Sequence, residues 1–378
     1  MIEPAAFYDA LRRNGFSFFT GVPDSLLKDI CAYITDHVPA TDHIINANEG
    51  SAVALAAGYH LATGEIPVVY LQNSGTGNAV NPLLSLADPA VYGIPMLLMI
   101  GWRGEPGVKD EPQHVTQGRI QERLLEALEI PYWVMGADSA SALDSLVAEV
   151  EGSLRSHPRP HAMLVRKGTF SEYRRPAAER RLPLTRSTAI ERVLDVLDPG
   201  AVVVSTTGMT SREVFAYRER NGQRHDQDFL TVGSMGHASQ IALAIAQRHP
   251  GRQVWCLDGD GAVIMHMGSL AIIGSQGASN FRHVVVNNGA HDSVGGQPTA
   301  GLTIDIPAIA RACGYRTVDT AASLEELTAT LRALREATGP ALLEVRVASD
   351  AHTDAGRPTT TPVENKAAFM RALQRDDA

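Results

Sequence analysis

The run from Val254 to Gln297, VWCLDGDGAVIMHMGSLAIIGSQGASNFRHVVVNNGAHDSVGGQ, constrains the fold more than any other stretch. Its opening apolar segment, Val254 to Leu257, suits a strand and stops at Asp258-Gly259-Asp260-Gly261. The apolar residues then change spacing through Val263, Ile264, Met267, Leu270, Ala271 and Ile273, which predicts a helix. A second strand, His283 to Val286, ends in Asn287-Asn288-Gly289. Strand, helix, strand implies a parallel pair. Both polar ends then fall on the carboxyl edge of one sheet, where α/β proteins bind ligands.

A carboxylate on a glycine turn, followed one βαβ unit later by a side-chain amide, gives two hard oxygen ligands on that edge. Magnesium takes octahedral oxygens and usually shares them with substrate phosphates. Gly259 and Gly261 let backbone N–H groups approach such phosphates at the helix start. The ordinary alternative is an Asx-rich pair of turns that merely closes two strands. The combination of GDG and NNG at this spacing favours the ligand site.

A chain of 378 residues suits two or three domains. Hydrophobic residues make up 44% and charged residues 20%, enough for an ample core in an ordinary globular protein. The net charge of −9, with no basic run, argues against nucleic acid as a partner. The N-terminus lacks a cationic start followed by an apolar core, and no apolar run approaches membrane-spanning length. Cys31, Cys256 and Cys313 are too far apart for a metal knuckle or a disulfide framework. A cytoplasmic protein with no membrane partner is the expectation.

In the first half, residues 5–14 predict an amphipathic helix. Ser17 to Thr20 predicts a short strand ending at Gly21-Val22-Pro23-Asp24-Ser25, where Asp24 or Ser25 can cap the next helix. A strand at His43 to Asn46 leads through Asn48 and Glu49 into the small-residue helix AVALAAGYHLA. Glu49 at a helix start is favourable with the helix dipole whatever else it does. Pro67 to Gln72 predicts a strand ending in the glycine-rich turn Asn73-Ser74-Gly75-Thr76-Gly77-Asn78. Met96 to Ile100 predicts another, followed by a polar loop over 101–118 that holds four glycines and two prolines. Loops of that composition at a strand's carboxyl end often carry function. Trp102, Arg103, Gln113 and His114 are therefore placed near substrate. A strand at His161 to Arg166 closes this half.

Residues 170–186, with seven charged side chains and two prolines between Ser171 and Arg186, form the expected linker. It separates a first domain over 1–169 from a second over 187–378. The second half restarts with a helix near 187–197 and a strand at Ala201 to Ser205, turning at Thr207-Gly208-Met209. A strand at Phe229 to Val232 then leads into Gly233-Ser234-Met235-Gly236-His237-Ala238, whose small residues permit close backbone approach to a ligand. Beyond the central run come a helix (307–313), a strand (317–319), a helix (324–336), a strand (341–347) and a last helix capped near Thr361-Pro362. Strands alternating with helices in both halves predict an α/β protein of two doubly wound parallel-sheet domains. No short-period repeat or low-complexity segment interrupts them.

The motifs TGVPDSLLKD, NANEG, LQNSGTGNAVNPL, GWRGEPGVKDEPQHV, GSMGHAS, GDGA, NNGAHDSVGGQ and GRPTTTPVENK together resemble the thiamine diphosphate (ThDP) decarboxylases. Within these they are most similar to the phosphonopyruvate branch, with sulfopyruvate decarboxylase a close relative. The resemblance runs over essentially the whole chain. It implies a pyrimidine-binding and a diphosphate-binding domain with no middle domain. It also implies ThDP and Mg2+ as cofactors, with Mg2+ held by Asp260, Asn288 and the carbonyl of Ala290. Glu49 becomes the carboxylate that hydrogen-bonds the aminopyrimidine ring nitrogen N1′. Met235 wedges the cofactor's two rings into a V. The cofactor's surroundings are completed by Ser74, Gly75, Asn78, Thr207, Gly208, Met209, Ser234, Gly236, His237, Gly259, Gly261 and Ala262. Ala262 and Ala290 depart slightly from the usual motif, at positions where backbone contacts tolerate either substitution.

The implied reaction is decarboxylation of 3-phosphonopyruvate to phosphonoacetaldehyde and CO2, a step of phosphonate and antibiotic biosynthesis. ThDP does the electronic work while the protein orients and tunes it. Glu49 supports the proton relay of the aminopyrimidine, and Asp24, Ser25 and His114 assist proton transfer. The multiply charged substrate would meet Arg103, Lys109, Gln113, His114, His291 and Arg357. Family architecture implies a homodimer or a higher homo-oligomer with active sites at the subunit interface. The alternatives are a sulfopyruvate or other 2-oxo acid decarboxylase with the same cofactor, and a non-enzymatic nucleotide-binding module. A Rossmann dehydrogenase is disfavoured, since no G-x-G-x-x-G follows a strand with the acidic residue that fold needs.

Overall fold

The computed structural model describes residues 1–175, 182–349 and 356–375. The chain divides into two compact units, Met1–Ala177 and Ala178–Ala378. Residues 176–181 of the expected linker and 350–355 ahead of the last helix lie outside the described residues. The linker's described ends belong to the units themselves. Phe170 bridges Ile2 and packs in the first core, while Leu184 is buried in the second.

The first unit carries the strands β1 (Phe19–Gly21), β2 (His43–Ile45), β3 (Val68–Gln72), β4 (Met96–Gly101), β5 (Tyr132–Met135) and β6 (Pro160–Val165). They form one six-stranded sheet in the order β2-β1-β3-β4-β6-β5, and every pairing is parallel. Alternate side chains feed two cores. Val68, Tyr70, Leu97 and Met99 pack on one face, and Val69, Leu71, Leu98 and Ile100 on the other. Helices cover both faces, so these strands read as continuous apolar runs with no polar alternation.

The second unit carries β7 (Val202–Ser205), β8 (Asp228–Leu230), β9 (Val254–Gly259) and β10 (Phe281–Asn287), then an antiparallel hairpin of β11 (Ala290–His291) and β12 (Gln297–Pro298), and finally β13 (Thr317–Ala321) and β14 (Ala341–Arg346). Its main sheet runs β13-β14-β10-β9-β7-β8, again parallel throughout. Read from β8 inward, this is the strand order of the first unit. Each unit is therefore a doubly wound α/β domain, as expected.

Three local differences from the sequence reading have physical causes. β5 was not expected: its YWVM run is short, follows Pro131 directly and lies on the sheet edge. The polar stretch 101–118 is only half loop, because Pro112 begins a helix (Pro112–Ala127) from the first-turn position proline favours. The single helix expected after GDG is two, Asp260–Met265 and Gly268–Gln276. Between them His266 leaves helical geometry at φ −131°, ψ 50°.

Candidate active site

In each sheet the two strands at which the winding reverses are neighbours, β1 and β3 in the first unit and β7 and β9 in the second. The chain leaves them toward opposite sides, which opens a crevice at their carboxyl ends. Asp24 follows β1, Ser74 follows β3, Gly208 follows β7 and Asp260 follows β9, while Glu49, Arg103, Met235 and Asn288 follow the adjoining strands β2, β4, β8 and β10.

In the first unit, Glu49 opens the helix Glu49–Thr63, and Asn48 caps it by accepting from Ser51 N. Glu49 is 5% exposed, and one carboxylate oxygen accepts from Asn78 Nδ2 at 2.8 Å. Its other oxygen lies against Gly75, where an added Cβ would come within 2.0 Å. Burial pushes its pKa up, although the Asn78 bond opposes the shift. Burial therefore favours the protonated carboxyl more than it would be favoured in a solvated glutamate. Asn78, expected beside the cofactor, holds Glu49.

Asp24, after β1, is fully buried, and burial raises its pKa despite bonds from Gln72 Nε2 at 2.5 Å and Leu26 N at 2.9 Å. Ser74 Oγ donates to Gln72 Oε1 at 2.7 Å, which links the β3 turn to Asp24. Arg103, after β4, donates from Nη1 to Ser25 Oγ at 2.7 Å, and from Nε and Nη2 to the two oxygens of Asp110. Asp110 also accepts from Gly104 N and Glu111 N, so it ties the whole turn together. Trp102 Nε1 donates to Gly118 O at 2.9 Å and fastens the turn to the following helix. His114 is buried in that helix's first turn. Burial, assisted by the Arg103 charge, lowers its pKa to about 4, and its Nδ1 has no partner among the described residues. Gln113 Oε1 is likewise buried without a partner there. The first unit therefore brings Asp24, Ser25, Ser74, Arg103 and His114 together, with Asp110 and Gln72 as organisers that the sequence did not mark. Lys109 is exposed.

In the second unit Asp260 starts the helix after β9, and register places Gly259 beside Val286 of β10. Asn288 therefore follows on the neighbouring strand end, and its backbone N–H donates to the Asp260 carboxylate. Thr299 Oγ1 donates to Asp260 Oδ2, and a Cβ on Gly301 would come within 2.3 Å of that oxygen. Asp260 is 2% exposed, and burial raises its pKa to about 6. A buried carboxylate with no cationic partner among its described bonds, beside a side-chain amide, suits a hard divalent cation. The Asn288 amide donates to Asp292 Oδ2 at 2.6 Å and accepts from Ala290 N at 3.1 Å.

Around this group Gly208 adopts φ +92° ahead of Met209, which begins the helix Met209–Arg220, with half-buried Thr207 before it. Thr206 Oγ1 is buried with no partner among the described residues. The turn at Ser234, Met235 and Gly236 has left-handed residues at 234 and 236, and a Cβ on Gly236 would meet His266 at 2.6 Å. His237 is exposed, its ring 4.4 Å from that of His266. His266 is thus an addition to the site, and its Nε2 is buried without a partner among the described residues. His291, expected at substrate, packs against Gly261, and burial lowers its pKa to about 4. Ala262 is buried in the first turn after Asp260. Arg357 is exposed in the irregular stretch ahead of the helix Pro362–Gln374. Among the described residues, no helix is long and apolar enough to cross a membrane.

Comparison with known proteins finds a domain match in each unit. The thiamine pyrophosphate enzyme N-terminal TPP binding domain matches residues 4–125, and the C-terminal TPP binding domain matches residues 206–345. The chain belongs to the thiamine pyrophosphate enzymes. It is 38% identical over 381 residues to a phosphonopyruvate decarboxylase of Streptomyces viridochromogenes, covering 96% of this chain and 93% of that one. A phosphonopyruvate decarboxylase of Streptomyces hygroscopicus is 36% identical over 382 residues, with 96% and 92% covered. A sulfopyruvate decarboxylase of Methanosarcina acetivorans is more distant, at 27% over 333 residues, with 82% and 81% covered.

Proposed function

We propose that the chain is a ThDP- and Mg2+-dependent decarboxylase of 3-phosphonopyruvate, releasing CO2 and phosphonoacetaldehyde. The observation that carries the reading is Glu49: a buried carboxyl, biased toward its protonated form, facing a glycine at the crevice of the first sheet. When bound, ThDP supplies the thiazolium carbon that takes up the electrons left by CO2. Glu49 holds its proton for the aminopyrimidine nitrogen, and exclusion of water strengthens that bond. Asp260, Asn288 and the Ala290 carbonyl would hold Mg2+, whose charge would offset that of a bound diphosphate.

Arg103 is the cation best placed for the anionic substrate. Three of its N–H donors are committed to Asp110 and Ser25, which fixes the guanidinium plane and leaves two donors for substrate. The free thiols Cys31 and Cys256, both buried, suit a reducing cytoplasm. The assembly is a homodimer or a higher homo-oligomer.

The test compares kcat/KM for phosphonopyruvate, sulfopyruvate and pyruvate with ThDP and Mg2+ added to apo-protein. Phosphonopyruvate should be preferred, with activity absent without both cofactors. Preference for sulfopyruvate or pyruvate transfers the assignment to that acid. Activity independent of ThDP removes it altogether.

A further inference from the structure

An amide is a useful metal ligand only through its oxygen, and one half-turn about its last bond presents nitrogen in that place. What fixes the Asn288 amide is therefore part of the site. Its Nδ2 donates to Asp292 Oδ2 at 2.6 Å, and its Oδ1 accepts from Ala290 N at 3.1 Å. The flipped amide would set its oxygen against the Asp292 carboxylate and its NH2 against a backbone N–H, replacing both attractions by repulsions. Asp292 thus sets the direction of the oxygen.

Asp292 is itself held firmly. Arg186 Nη1 donates to its Oδ2 at 2.9 Å, and Ser349 Oγ donates to its Oδ1 at 2.5 Å. Arg186 also donates from Nε to Glu213 Oε1 at 2.9 Å. The side chains of Arg186, Glu213 and Asp292 are only 6%, 5% and 4% exposed. In so dry a setting each pair is stiff, and a wrongly oriented partner is costly. Arg186 is the first residue of the helix Arg186–Asp195, which Thr185 caps. The helix Arg186–Asp195 is thereby tied to the loop that carries Asn288 through the Asp292 carboxylate.

We propose that Asp292 is a positioning residue that holds the Asn288 amide with its oxygen toward the divalent cation, and that Arg186 fixes Asp292 in turn. The inference rests on the proposed ligation of the cation by Asn288. Groups that orient metal ligands from behind are typically worth about 10- to 100-fold in metal affinity.

The test is Mn2+ titration followed by electron paramagnetic resonance on ThDP-loaded protein, with thermal melting of each variant. Asp292→Asn should weaken Mn2+ binding about 10- to 100-fold, because an amide at 292 accepts either orientation of Asn288. The exchanged pair Asn288→Asp with Asp292→Asn should recover affinity to within about threefold. Both oxygens of a carboxylate at 288 are equivalent, so it needs no orienting partner. A merely structural role for Asp292 predicts no such recovery.

Asn288→Ala separates the two readings. If it leaves Mn2+ affinity unchanged, the metal assignment fails. If it weakens binding while Asp292→Asn does not, the assignment stands and the positioning role is overturned. Should Asp292→Asn not fold, the exchanged pair decides: a folded pair that binds Mn2+ weakly, or a pair that also fails to fold, refutes the proposal.

Discussion

Gly75→Ala offers a direct test of Glu49's placement. Gly75 sits at φ −83°, ψ −9°, a conformation open to any L-residue, so the added methyl does not strain the backbone. The methyl would lie 2.0 Å from Glu49 Oε1, 2.4 Å from its Cδ and 2.7 Å from its Cγ. To regain an ordinary contact of 3.4 Å, the carboxyl oxygen must retreat by about 1.4 Å. A displacement of about 1 Å in a positioned group can cost about 100-fold in rate, so kcat should fall at least that far. Stability should barely change. Losing the Asn78 bond costs about 1 kcal/mol, and replacing glycine returns about 0.4–1 kcal/mol by restricting the unfolded chain. Gly58, on the same helix as Glu49 with open space around it, is the control. Gly58→Ala should leave kcat unchanged and raise stability slightly. Steady-state kinetics with saturating ThDP and Mg2+, paired with calorimetry, reads both quantities. A Gly75→Ala enzyme with wild-type kcat would refute the argument, as would one that loses its fold, since the backbone would then have absorbed the clash.

Glu49→Gln should leave folding and diphosphate binding largely intact while lowering turnover by orders of magnitude; near-wild-type turnover would remove the proton role. Asp260→Ala should abolish metal-dependent retention of ThDP, measured by equilibrium dialysis, and an unchanged ThDP affinity would discount the site. His43 and His114 should also cost the folded protein stability in mild acid, and the rise of the Asp260 pKa to about 6 offsets part of the effect. Burial lowers the pKa of both histidines, as of His291, from 6.5 to about 4. Between those values the unfolded chain binds protons that the folded chain refuses, so this stability is complete above pH 6.5 and is lost as pH falls toward 4. Two such groups give a slope of at most about 2.7 kcal/mol per pH unit. Urea titrations across that window should show a flatter slope for the His43→Gln, His114→Gln double variant, and an unaltered slope would mean that other groups carry the effect.

The fold was largely legible because its strands are buried on both faces. Val68 to Leu71 and Val254 to Leu257 read as unbroken apolar runs, stopped by Gln72-Asn73 and by Asp258-Gly259. Helix starts with local chemistry were legible too. Thr361 accepts from Glu364 N, and Glu364 reaches back to Thr361 N, a reciprocal cap written within four residues. What sequence could not show is pairing across the fold. Asp292 and Arg186 lie 106 residues apart, and neither type is unusual in its local setting. Asp110 lies only seven residues from Arg103, yet it reads as one charge in a polar loop until both Arg103 donors are seen to converge on it. His266 was hidden by periodicity. The apolar spacing runs on through it, while in the structure the helix breaks there and its ring lies against Gly236.

The two sheets share one strand order, and both use the crevice this order creates in the same manner. Three buried carboxylates stand at these edges, each facing a glycine whose methylation would collide with it. Glu49 faces Gly75 at 2.0 Å, Asp24 faces Gly101 at 1.9 Å and Asp260 faces Gly301 at 2.3 Å. Burial raises the pKa of all three. A carboxylate serving only structure would ordinarily be packed by a side chain and neutralised by a cation, as Asp228 is by Arg218. Here the hydrogen-bond partners are amides, hydroxyls and backbone N–H groups, which orient the oxygens; the charges of Glu49 and Asp260 are left uncancelled, and that of Asp24 is offset in part by Arg103 nearby. Desolvation without neutralisation is costly for stability, and it persists where a ligand supplies the missing proton acceptor or cation. On the proposed reading the same scaffold would serve two tasks: Glu49 would retain its proton at the crevice of the first unit, and Asp260 would release its proton to solvent as a cation binds in the second.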